Sequence, residues 1–118
     1  MPLAAALAAD LVAVTAFAAI GRASHAETGA AAAILLTAWP FLAGLALGWA
    51  GVRVVSGHGP LTVRDAIPVW LSTVAVGMLL RALTGRGTAV SFIVVASIAT
   101  GALLLGWRAL AASRGARR

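Results

Sequence analysis

One acid interrupts an otherwise apolar run. Asp10 lies among Leu3, Leu7, Leu11, Val12, Val14, Phe17 and Ile20. On a helix crossing a bilayer a central Asp costs about 2.5–3.5 kcal/mol, and each of those apolar residues returns about 0.3–0.6 kcal/mol. The two sums are comparable, so such a helix must turn Asp10 toward protein or water. Two chemistries suit an acid so placed. It could couple a proton or ion, or balance a cationic substrate; or it could be structural, paired with Arg or bonded to Ser/Thr. Arg108, at the matching end of the last apolar stretch, is the first partner expected, and Arg53 the second. Arg22 is twelve positions away (22 − 10), about 18 Å along a helix and out of reach. Arg22 and Arg81 end their own stretches on the other side, where they could form an anion site or snorkel. Trp39-Pro40 falls in mid-stretch, to line a cavity or fill the core. Asp10, Arg22, Trp39, Pro40, Arg81 and Arg108 are therefore the candidate residues of a substrate or ion pathway.

Other chemistries lack their groups. There is no cysteine, so disulfides, iron–sulfur clusters and thiolate zinc sites are excluded. His25 and His58 belong to links on opposite sides and cannot share a metal or a haem within one chain. No phosphate-binding glycine loop, catalytic triad or zinc motif is present. We expect no cofactor, no metal and no enzymatic activity.

The elements that position these residues are four long apolar stretches at about 3–21, 29–51, 66–83 and 89–107. The chain of 118 residues is 62% hydrophobic and 10% charged, whereas a soluble domain has about 45–50% and 25%. Each stretch is near the roughly 20 residues that span about 30 Å of hydrocarbon, and none carries the polar stripe of a soluble helix. The expectation is an all-α integral membrane four-helix bundle, a single domain over 1–118 with an Arg-rich tail at 108–118. Thr28, Asp65 and Thr88 are the expected N-caps, Pro68 falls in the first turn of the third helix, and Pro40 should kink the second. Ser24-His25-Ala26 loosely resembles a signal cleavage site, but no Lys or Arg precedes the first stretch and Asp10 interrupts it.

All nine basic residues are Arg. Six (Arg53, Arg64, Arg108, Arg114, Arg117, Arg118) lie on the side of the middle link and the C-terminus, against three (Arg22, Arg81, Arg86) on the other. That bias places both termini in the cytoplasm, in the cell membrane. Trp49, Trp70 and Trp107 fall at the same helix ends, as an interfacial belt would. The net charge of +6 calls for anionic lipids at the Arg-rich tail and no nucleic acid. Gly44, Gly48, Gly101 and Gly106 are small residues suited to close helix packing, within the bundle or in a dimer. The hairpins also echo each other. Trp49 follows Arg22 by 27 positions (49 − 22) and Trp107 follows Arg81 by 26 (107 − 81). This fits either a parallel duplication or chance likeness among apolar helices.

Several strings carry a family resemblance: Gly21-Arg22-Ala23-Ser24-His25, Thr37-Ala38-Trp39-Pro40-Phe41 with Gly44 and Gly48-Trp49, Val76-Gly77-Met78-Leu79-Leu80-Arg81, Ser91-Phe92 and Gly106-Trp107-Arg108. Over nearly the whole chain they resemble domain-of-unknown-function family 3054, small membrane proteins of actinobacteria and haloarchaea. The resemblance implies a four-helix membrane protein and no particular activity. From the residues themselves the first functional expectation is a small transporter or channel working as a homodimer. The alternative is a non-catalytic accessory or lipid-binding protein.

Overall fold

A computed structural model describes residues 2–23 and 30–116, with backbone alone at Arg22, Ala23, Ala30 and Ala116. Four helices follow one another: α1 (Leu3–Ala23), α2 (Ala30–Ser56), α3 (Val63–Leu83) and α4 (Val90–Ala116). There is no strand among the described residues. All four are long and apolar enough to cross a membrane. Helices are the form that satisfies backbone polar groups where no water is available. Large apolar side chains face outward along them, such as Ile20, Leu47, Val55 and Ile98, so lipid is the medium this surface suits. The protein is a multi-pass membrane protein.

The helices run up, down, up and down, each packed on its neighbours in sequence, and α4 closes the ring on α1. Both ends of the described chain therefore lie at one end of the bundle. The longest dimension is 45 Å, close to a bilayer with its headgroups. The core is built from Val14, Phe17, Phe41, Leu45, Val69 and Leu104. Phe41 sits at its centre, edge-on to Phe17 at 5.3 Å and to Phe92 at 6.3 Å. Gly77 leaves the room that Phe41 occupies, since a Cβ there would enter the ring.

The small residues divide by position. Gly44 and Gly48 bring α2 against the backbone of α3 at Ser72, Thr73 and Val69, and Ser72 Oγ donates to the Gly44 carbonyl at 2.7 Å. Gly101 faces the Trp70 ring. A Cβ at Gly106 would meet nothing. The Gly44–Gly48 pair thus joins helices of one chain.

Helix ends depart from the sequence expectation. The α3 N-cap is Thr62, whose hydroxyl accepts from the Asp65 N–H at 3.1 Å. Thr outdoes Asp65 here because the chain is already extended at Thr62. Pro68 consequently lies in the second turn. Thr28 lies outside the described residues, and Thr88 precedes the first residue of α4 by two positions. Gly57 closes α2 and Gly85 closes α3, at φ +80 and +76, values that a side chain disfavours. The stretch from Arg108 to Ala116 is not a separate tail but the last turns of α4. The helix α2 passes through Pro40, which is fully buried. One turn before it, the Thr37 hydroxyl donates to the Ala33 carbonyl at 3.0 Å.

Candidate functional site

Asp10 and Arg108 meet inside the bundle at the end that holds the α2–α3 link. Arg108 Nη1 donates to Asp10 Oδ1 at 2.8 Å and Nη2 to Oδ2 at 2.7 Å. Both side chains are fully shielded. This bidentate fork is the strongest geometry open to the pair. Two indoles complete it. Trp107 Nε1 donates to Oδ1 and Trp49 Nε1 to Oδ2, each at 2.8 Å.

The remaining guanidinium protons go to backbone. Nε and Nη2 donate to the Pro60 carbonyl at 3.0 and 2.8 Å, and Nη1 to the Leu104 carbonyl at 2.8 Å. A guanidinium has five N–H donors and a carboxylate about four acceptor positions; here all are occupied. The guanidinium also lies 4.5 Å from the Trp107 ring centre, a cation–π contact. Burying either charge alone costs several kcal/mol, and only mutual pairing with complete hydrogen bonding offsets that. The cluster ties α1, α2, α4 and the α2–α3 link into one knot. It has no free lone pair for a proton or cation unless one of these bonds opens.

Of the groups in this knot, sequence reasoning placed Asp10 beside Arg108 but gave the indoles another task. Trp49, Trp70 and Trp107 are half-buried and do share one end, yet their N–H groups point inward. Trp70 donates to the Ser97 carbonyl at 2.9 Å. Trp49 and Trp107 thus give their N–H groups to the carboxylate and Trp70 gives its own to backbone, where a belt would give them to headgroups. The usable signal was depth, since Asp10, Trp49, Trp107 and Arg108 all lie near the same bundle end. The carbonyls of Pro60 and Leu104 carried none. The two tryptophans of the hairpin echo are the two that converge on Asp10, one on each oxygen.

The other pathway candidates lie apart. Arg81 is at the opposite end, where Nε and Nη2 donate to the Gly87 carbonyl at 3.1 and 2.9 Å and the guanidinium covers the Phe92 ring at 4.3 Å. Phe92 and Arg108 are sixteen residues apart on α4 (108 − 92), about 24 Å. Trp39 is 40% exposed on the outer surface, while its neighbour Pro40 is buried. The Arg22 side chain and His25 lie outside the described residues.

One outward groove accompanies the site. It measures about 520 Å³ and runs between α2 and α3, from Leu47 and Gly48 past Gly51 to Arg64 and Asp65.

Compared with known families, residues 7–111 match DUF3054, a protein family of unknown function. The chain belongs to that family. The match takes in all of the clasp: Asp10, Trp49, Pro60, Leu104, Trp107 and Arg108. No curated protein matches this DUF3054 chain. No solved structure matches it either.

The clasp makes a direct prediction for the two donors. Trp49→Phe and Trp107→Phe each keep an aromatic ring and remove one N–H from a charged acceptor. Each should cost about 1.5–3 kcal/mol, whereas Trp39→Phe, on the outer surface, should stay within about 0.5 kcal/mol. Thermal unfolding in detergent measures all three. Equal losses at the three positions would mean that the indole N–H groups contribute nothing beyond ring packing.

Proposed function

We propose that the protein is a non-catalytic constituent of the cell membrane that engages lipid or a larger membrane assembly. We assign it no conduit through its own four helices. One observation carries this reading: the polar groups inside the bundle at the Asp10–Arg108 clasp are bonded to one another and to backbone, with no acceptor left over. Below the clasp lies the aromatic core around Phe41. No catalytic step is proposed, because a general acid or base needs a proton it can exchange. The six-against-three distribution of Arg supports cytoplasmic termini. Exposed Arg114, at the end of α4, supports contact between that end and anionic lipid headgroups.

The second reading, a small transporter or channel working as a homodimer, draws on the cost of the clasp itself. A well-packed apolar replacement for a buried ion pair is often as stable or more so, so a retained pair invites a functional role. On this reading the clasp opens in the working cycle and Asp10 takes a proton or cation. The route would then form between two copies and use Arg22, Trp39, Pro40 and Arg81.

Reconstituted vesicles separate the two. Vesicles carrying the protein should release or accumulate protons, potassium, chloride and a quaternary ammonium dye no faster than protein-free vesicles. Saturable flux of any of these, lost in an Asp10→Asn protein that still melts cooperatively, would replace the first reading with the second. Flux that persists unchanged in Asp10→Asn would also end the first reading, and would remove Asp10 from the pathway.

A further inference from the structure

The groove between α2 and α3 has a chemistry of its own. From Leu47 to Ser56 it follows nine helical steps of α2 (56 − 47), about 14 Å at 1.5 Å per step. That is close to half of a hydrocarbon layer of about 30 Å, the depth of one leaflet. Its volume of about 520 Å³ is within the range of small-ligand sites. The flanks, Leu47 and Val55, are exposed, and Gly51 between them has nothing within 4 Å of where a Cβ would stand. The floor is thus an open apolar channel turned toward lipid.

The mouth of the groove, at the start of α3, holds one charge of each sign. Arg64 is exposed and has no hydrogen bond or ion pair among the described residues. The Asp65 carboxylate stands 3.6 Å from His58 Nδ1, beyond hydrogen-bond reach. Pro68, also at this wall, has no N–H to give to the Arg64 carbonyl one turn back.

We propose that this groove binds one phospholipid with a primary-amine headgroup, its acyl chain along Gly48, Gly51 and Val52, its phosphate on Arg64 and its ammonium on Asp65. Charge complementarity selects the headgroup. One guanidinium and one carboxylate side by side match a zwitterion that presents an anion and a hydrogen-bonding cation. A purely anionic headgroup would set its charge against Asp65 and leave that carboxylate without a donor. A choline headgroup carries the positive charge but has no N–H to donate. The proposal deepens the lipid-engaging reading above and depends on it only in placing this face within the bilayer.

Native mass spectrometry of the detergent-solubilised protein, titrated with ethanolamine, glycerol and choline phospholipids of identical acyl chains, tests it. The unaltered protein should retain one ethanolamine phospholipid about tenfold more tightly than either of the others, the scale of one charge-assisted hydrogen bond. Asp65→Asn should abolish that preference while leaving the three lipids bound alike. Arg64→Gln should weaken all three. Gly51→Leu fills the channel at a position with open space and should lower retention of every lipid without lowering the melting temperature. The proposal is overturned if the glycerol lipid binds as well as the ethanolamine lipid, if Asp65→Asn keeps the preference, or if Gly51→Leu retains lipid normally. Solute flux in the vesicle assay together with intact lipid selectivity would sink the earlier reading and leave this one standing.

Discussion

Asp10→Asn will destabilise the bundle by about 3–5 kcal/mol, the usual cost of removing one partner of a buried ion pair. The geometry explains why an isosteric change is so damaging. Each carboxylate oxygen accepts from one indole and one guanidinium nitrogen. Whichever oxygen becomes an amide NH2 then faces two N–H donors, and no rotation of the side chain avoids this because both sides are alike. Arg108 also keeps a charge that now has no counter-ion inside the bundle. Arg108→Met strands the carboxylate in the same way and should cost a similar amount. Replacing both, as Asp10→Leu with Arg108→Met, removes the charges together. That double variant should recover most of the loss, since a packed apolar pair is often neutral or better. The melting temperatures of the two single variants and the double give the coupling directly. If the single losses simply add in the double variant, the pair is not the unit of stability described here.

How far the clasp could be foreseen differs between its members. That Asp10 needs a protein partner follows from transfer energies alone, and Arg108 follows from four helices of bilayer length with short links. These are properties of side-chain type and depth. The roles of Trp49 and Trp107 were less legible, because an indole near a helix end suits a headgroup belt and a buried carboxylate equally until rotation about the helix axis is known. Low amphipathicity hides that rotation: a membrane helix is apolar on the lipid side and on the core side alike, so its pattern does not say which face is inward. Trp39 and Pro40 show the same blindness, as adjacent residues of which one faces out and the other in. The Pro60 carbonyl is a backbone group presented by a link, and no residue pattern announces it. The helix ends at Ala23, Ser56, Val63 and Ala116 lie beyond the expected apolar stretches for a related reason. Arg108 and Arg114 end the hydrophobic run of α4 but not its hydrogen bonding, which continues to Ala116.

Packing glycines on α2 give the second large effect, and they test the architecture independently of the clasp. A Cβ at Gly44 would stand 2.6 Å from the Ser72 carbonyl oxygen and 2.8 Å from the Thr73 Cα. Both are backbone atoms, so no side-chain rotation relieves the overlap and the helices must separate. Separation also stretches the bond from Ser72 Oγ to the Gly44 carbonyl and loosens Gly48 from Val69, where the same kind of contact recurs at 2.8 Å. Gly44→Ala should therefore cost about 1–3 kcal/mol, as overpacking generally does, even after the gain of about 0.5–1 kcal/mol from replacing a helical glycine. Gly51→Ala, two turns further along the same helix with open space at its Cβ, keeps that gain and should be neutral or stabilising. The contrast of sign between two identical substitutions on one helix is the diagnostic. It also decides between packing within the chain and dimerisation, which the Gly-x-x-x-Gly spacing alone permits equally. If Gly44 serves the α2–α3 contact, Gly44→Ala lowers the melting temperature at every protein concentration and leaves the oligomeric state in detergent as it was. If the variant instead melts normally and shifts only a monomer–dimer equilibrium, the close approach of α2 and α3 belongs to two chains and not to one.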